Sequence, residues 1–329
     1  MLLALVACGP SEPTRFASVS LELRPDSPAS EETFRFDDDE VVERIDTARV
    51  RVHFTRSGRN AVPLVDDDAS GVPDYPELVA TRYEDYLAQY EALGFRAPVS
   101  DADLADDNGG DGRFDVYLID FFGRADGAFQ TDACTNTCVG YAVQENDFAG
   151  YGYPSVDVAT RILATHELFH AVQSSYDAGQ DGIFREGTAV WATEALEPEL
   201  DDFERFIRGY LERPDRPLNR PSSGVVLDPF NYGAALFFRF LTERFDDADL
   251  VRRLLERVED GAGGVDDPEW DEALDTLLAE EFDATLSDVF VEFALWNVFT
   301  GPRSDRSPGV GYAEAARYPS VTTEVARLP

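Results

Sequence analysis

Two of the three histidines in this 329-residue chain stand four positions apart, in His166-Glu167-Leu168-Phe169-His170. On a helix that spacing puts both imidazoles on one face, one turn apart. Apolar residues at Val158, Ile162, Leu163, Phe169 and Val172 recur at helical spacing around them, so a helix is predicted over 156–176. Two neutral imidazoles so placed can share one zinc ion. Glu167 then stands where it can take a proton from a water that the ion activates. The alternative is a histidine pair on an ordinary amphipathic helix, with no ion.

Catalytic zinc is held by three protein ligands and keeps a fourth position open. The continuation Ala171-Val172-Gln173-Ser174-Ser175-Tyr176 contains no histidine, and none follows downstream. The pattern HExxHxxGxxH is therefore excluded, and an acidic residue must complete the set. Glu186, in Phe184-Arg185-Glu186-Gly187-Thr188-Ala189-Val190-Trp191, lies sixteen positions after His170 and opens the next helical segment. Glu194 is the rival. It lies eight residues further on, so the two cannot occupy the same level of one helix. Such a site hydrolyses, and peptide bonds are the expected substrate.

The run His166 to Gln173, followed by Glu186-Gly187-Thr188-Ala189, resembles the gluzincins of the peptidase MA clan. The resemblance implies an α+β, zincin-like fold with His166, His170 and Glu186 as zinc ligands and Glu167 as general base. Aminopeptidases of that clan carry Gly-x-Met-Glu-Asn. Here only Gln144-Glu145-Asn146 echoes it, so aminopeptidase activity is not implied. The chain is also similar to a family of secreted bacterial metalloproteases. The likeness runs through Gly71-Val72-Pro73-Asp74-Tyr75, Asp115-Val116-Tyr117-Leu118, the histidine motif and Glu186 to Trp191, within residues 46 to 320. In gluzincins a tyrosine or histidine of the C-terminal lobe often stabilises the oxyanion. No histidine remains for that role, and Tyr232 is the candidate; its alternative is an aromatic packed among helices.

Sixty-five Asp and Glu face 28 basic residues, every one of them arginine, for a net charge of −37. This acidity argues against nucleic acid and anionic membranes as partners. It suits hard cations such as calcium. The stretch Asp66 to Glu77 has EF-hand spacing: Asp66, Asp68 and Ser70, the Val72 carbonyl, Asp74 and Glu77 fall at ligand positions, with Gly71 at the turn. The competing reading makes Asp74 and Glu77 a helix capping box. A looser loop offers Asp107, Asp111 and Asp115 as a second calcium set. In both, Ca2+ would be structural.

Met1 to Ala7 is a short apolar run ending in Leu-Val-Ala before Cys8. It resembles the end of a bacterial lipoprotein signal, although no positive residue precedes it. Cys8 is the expected lipidation site, and the lipid the expected membrane anchor. Cys134 and Cys138 are then the even pair of an exported chain, expected as a disulfide. His53, in the alternating run Ala48 to Phe54, reads as an ordinary strand histidine.

The expected organisation is a signal remnant (1–8), a tether (9–40), an α/β lobe with the acidic loops and motif helix (41–176), a helical lobe (177–302) and a tail (303–329). Strands are predicted at 48–54, 114–119 and 139–143 and a helix at 78–95. The C-terminal helices are predicted at 184–197, 201–213, 229–246, 248–259, 267–281 and 285–300. The fold class is α+β, with a mixed-sheet N-terminal lobe and an all-α C-terminal lobe. The expected function is that of a surface-tethered, monomeric zinc endopeptidase. The rival is a catalytically silent lipoprotein that keeps the fold as a binding scaffold.

Overall fold

The computed structural model describes residues 23–27, 34–104, 108–220 and 228–321. Cys8 and Asp107 lie outside these residues. The chain divides into two compact units, with the division between Gly179 and Gln180. The class is α+β, with a mixed five-stranded sheet and several helices. No helix among the described residues is long and apolar enough to cross a membrane.

The first unit is built on that sheet. Its strands are β1 (Val42–Asp46), β2 (Val50–Thr55), β3 (Phe114–Ile119), β4 (Gly127–Cys134) and β5 (Cys138–Glu145), in the order β1-β2-β3-β5-β4. The central pairs β2–β3 and β3–β5 are parallel, and both edge pairs are antiparallel. Two helices, α1 (Asp74–Ala92) and α2 (Val156–Gln173), pack on each other; α1 also meets β2, and α2 meets β4 and β5. Side chains alternate across β3. Tyr117 and Ile119 join Phe36, Phe121, Ala125, Tyr141 and Val143 in a buried apolar cluster, to which Phe34 and Val42 add.

Two strands were not anticipated. β1 reads Val-Glu-Arg-Ile-Asp and is partly exposed, so little hydrophobic alternation marks it. β4 holds small and polar residues, and its pairing shifts between Thr131 and Ala133. That irregularity breaks the period-two pattern that would have signalled a strand. α1 begins at Asp74, four residues before the expected start, with Pro76 inside its first turn. Proline is tolerated there, because first-turn N–H groups have no helical partner.

The second unit is helical. It comprises α3 (Gly182–Leu196), α4 (Phe203–Leu211), α5 (Pro229–Gly233), α6 (Ala235–Phe245), α7 (Leu250–Arg257), α8 (Trp270–Phe282) and α9 (Leu286–Val298). The single helix expected over 229–246 is two, α5 and α6. An aromatic core of Phe237, Phe240, Phe293 and Trp296 joins α6 to α9. The segment after 302, expected as a tail, packs on this unit through Tyr312 and Tyr318, both buried. Tyr312 stacks edge-on to Trp296 and donates to Asn297 Oδ1 at 2.7 Å.

Candidate functional site

Ser155 caps α2 by accepting from the Val158 amide at 3.1 Å, a favourable start for a helix. From Ala159 to Gln173 every residue of α2 except Arg161 is buried, so the histidines do not sit on an exposed amphipathic face. The helix is backed by Tyr90, whose hydroxyl donates to the Thr165 carbonyl at 2.8 Å. Phe169 packs against Tyr90 and Phe95, with ring centroids 5.3 Å away in each case. At the C-terminal end the Cys138 amide donates to the Ser174 carbonyl at 2.9 Å. The motif thus lies on a helix clamped along its length.

On that helix the two imidazoles meet as the spacing requires. His166 Nε2 and His170 Nε2 are 3.2 Å apart, and the rings are nearly perpendicular. His170 Nδ1 is 2.8 Å from Gln173 Oε1. Both histidines are 4 % exposed and Glu167 is fully buried. β4 passes close to Glu167: a Cβ on Gly127 would lie 2.6 Å from Leu163 Cδ1 and 3.4 Å from Glu167 Cγ. The missing side chain is what lets strand and helix approach.

In the second unit, Glu186 stands half-buried in α3. Asp181 caps that helix, accepting from the Phe184 amide at 2.9 Å. Gly187, the next residue, faces α6; a Cβ there would meet Phe238 at 2.8 Å and Ala234 at 3.1 Å. Glu-Gly is therefore a ligand-type residue beside a packing requirement. Glu194 is only 5 % exposed and lies 4.0 Å from Arg239. Burial raises its pKa to about 8, helped by Glu204 and Glu314 and opposed by Arg239. Tyr232 lies in α5, buried, its ring stacked on Phe206 at 5.4 Å.

Gln144 and Glu145 end β5, a strand with neighbours on both sides, and Asn146 follows it. Gln144 bonds Tyr75 and Tyr83, Glu145 accepts from Tyr151 and the Phe121 amide, and Asn146 donates to the Ala61 carbonyl. Burial lifts the Glu145 carboxyl to about 7. These side chains serve internal packing.

The first acidic loop gathers Asp66, Asp68 and Asp74, whose carboxylate oxygens lie within 4.8 Å of one another. Asp66 and Asp68 both accept from the Ser70 amide, and Asp74 from the Asp67 amide. Ser70 Oγ bonds the Val72 carbonyl at 3.2 Å, joining two of the expected ligands to each other. Glu77 sits on α1, outside that group. The capping box is not formed: Pro73 occupies the cap position, and Asp74 is already helical.

The second acidic set does not assemble among the described residues. Asp111 pairs with Arg113 and Arg51. Asp115 points into the interior, where it meets Arg24 and His53. His53 is likewise fully buried; the polar side of β2 faces a buried ion cluster, not solvent. That cluster was not anticipated, since its members are scattered from Arg24 to Asp132 and no local pattern links them. Cys134 and Cys138 are disulfide-bonded, closing the β4–β5 turn.

No protein-family model matches the sequence, and no curated protein matches it.

Proposed function

We propose that the protein is a zinc-dependent metallopeptidase of the gluzincin type, exported and tethered through Cys8. The observation that carries this reading is the His166–His170 pair with Glu167 between them on a buried helix. Two nitrogens each about 2.0–2.1 Å from a tetrahedral zinc stand roughly 3.3 Å apart; the two Nε2 atoms are 3.2 Å apart. The donor set therefore fits the ion. Glu186, in α3 beside Gly187, is the proposed third ligand, as the likeness to gluzincins implies. Glu194 is the weaker candidate because it is buried beside Arg239 and its raised pKa favours the protonated form.

A zinc ion at these residues would supply Lewis acidity, lowering the pKa of water toward about 7 and polarising a carbonyl. Glu167 accepts the proton of the attacking water and returns it to the leaving amine nitrogen. Tyr232 is the proposed oxyanion donor.

A peptide substrate is favoured by β4. It ends the sheet order and lies beside Glu167. An extended peptide can add to such an edge through main-chain hydrogen bonds. The disulfide favours an oxidising compartment, in keeping with export. Calcium at Asp66, Asp68 and Asp74 is proposed as a structural ion of the first unit.

The deciding experiment compares wild type with Glu167→Gln for bound zinc and for hydrolysis of an unstructured protein. Equal zinc with activity lost in the variant is the expected result. A zinc-loaded wild type inactive on varied peptides would favour the scaffold reading instead.

A further inference from the structure

Gln173 is the last residue of α2, three positions beyond His170, and its side chain turns back onto the imidazole. Gln173 is 2 % exposed, and its Oε1 lies 2.8 Å from His170 Nδ1. An amide oxygen only accepts, so Nδ1 is the donor. A neutral imidazole carries one N–H. His170 Nε2 therefore holds a lone pair, and it faces His166 Nε2 at 3.2 Å. We infer that Gln173 is a positioning residue: it fixes His170 in the Nδ1–H tautomer and so presents Nε2 as a metal ligand. This rests on the zinc reading above.

The choice of an amide has a physical reason. Metal-binding histidines commonly donate their second N–H to a carboxylate, a carbonyl or water, which sets ring orientation. Glu167 is already a fully buried acid on the same helix. A second buried carboxylate would add desolvation cost and repulsion. Glutamine supplies the acceptor without the charge. Its backbone is held as well, since the adjoining Ser174 accepts from the Cys138 amide on β5.

The test uses the full chain with two substitutions, Gln173→Leu and Gln173→Glu. The tautomer of His170 is read by long-range nitrogen–proton NMR on metal-free protein. Zinc affinity is read by competition with a chromophoric chelator. The wild type should show the Nδ1–H form. Gln173→Leu should lose that preference and bind zinc about 10–100-fold more weakly. Gln173→Glu keeps an acceptor but adds a second buried charge, so it should hold the Nδ1–H form while losing stability. A wild type in the Nε2–H form overturns the inference without any variant, as does a Gln173→Leu protein with unchanged tautomer and affinity, or a folded Gln173→Glu protein that loses the Nδ1–H form. A wild type that shows the tautomer and binds no zinc would overturn the zinc reading and the ligand-presenting role together, leaving the hydrogen bond alone.

Discussion

His53 Nε2 lies 2.6 Å from Asp115 Oδ1, with both residues buried in the sheet of the first unit. The other oxygen of Asp115 accepts from Arg24 Nη1 at 2.5 Å. Arg24 also meets Asp101 and Asp132, and its guanidinium lies over the Tyr141 ring. Burial works against the charge of Arg24, but Asp132, Tyr117 and Asp115 outweigh it and hold the guanidinium protonated. One arginine thus pins residues 23–27 to β3, β4 and the loop at Asp101.

Arg24→Met should destabilise the first unit by about 3–5 kcal/mol, since it strands several buried carboxylates without their cation. Arg24→Lys should lose less, but still measurably, because an ammonium cannot fork between separate carboxylates. Denaturant unfolding of the three proteins at one pH measures the difference. A loss below about 1 kcal/mol for Arg24→Met would mean that the cluster does not hold this segment.

Glu194 gives the helical unit a pH dependence of predictable sign. Its folded pKa is raised from 4.5 to about 8, chiefly by burial. The folded state therefore binds a proton that the unfolded chain releases, so the stabilisation is complete below pH 4.5 and is lost as pH rises through 8. Burial likewise lifts Asp101 to about 6 and Glu145 to about 7, which gives the first unit a pH dependence of the same sign. Glu194→Gln keeps the volume and removes the charge. It should be more stable than wild type at pH 9, by a margin on the order of 4 kcal/mol that shrinks toward pH 5. Its zinc content should be unchanged, whereas Glu186→Gln should lose zinc.

Where local pattern and fold agree, the sequence was readable. The motif helix, β3 and most C-terminal helices carry apolar periods that survive into the structure. The His166–His170 pairing follows from helix geometry alone. β1 and β4 escaped because one is charged and partly exposed and the other irregular in register. Asp115 misled for a different reason. Its neighbours along the chain are acidic and glycine-rich, as in a calcium loop, while its partners Arg24 and His53 are 91 and 62 positions away. Gln173 was passed over because a glutamine in a helix has no signature until its side chain is seen against a ring nitrogen.

The first acidic loop should respond to calcium. A calcium ion binding only the folded state raises stability by about 2.7 kcal/mol at one hundred times its Kd. Structural sites in extracellular modules bind near 10⁻⁴–10⁻³ M, so millimolar calcium should raise the melting temperature and EDTA should lower it. Asp68→Asn removes one of the three gathered carboxylates and should abolish most of the response. A melting temperature indifferent to calcium would return the loop to an acidic turn held by the Ser70, Gly71 and Asp67 amides.

A substitution at Gly127 should separate the proposed zinc binding from the proposed turnover. It lies on the edge strand, and its missing side chain leaves room for Leu163 and Glu167. Neither His166 nor His170 is among its nearest neighbours. Alanine there should be mild, because the closest atom is the movable end of Leu163. Valine adds two branches and should force strand and helix apart, at a cost of about 1–3 kcal/mol in stability. A displaced Glu167 no longer meets the attacking water at hydrogen-bond distance, and loss of a general base lowers turnover by about 10²–10⁴-fold. Gly127→Val should therefore keep its zinc, lose most of its peptide hydrolysis, and show the fall in kcat more than in KM. A Gly127→Val protein that loses zinc in step with activity would place the damage at the histidines and not at the base.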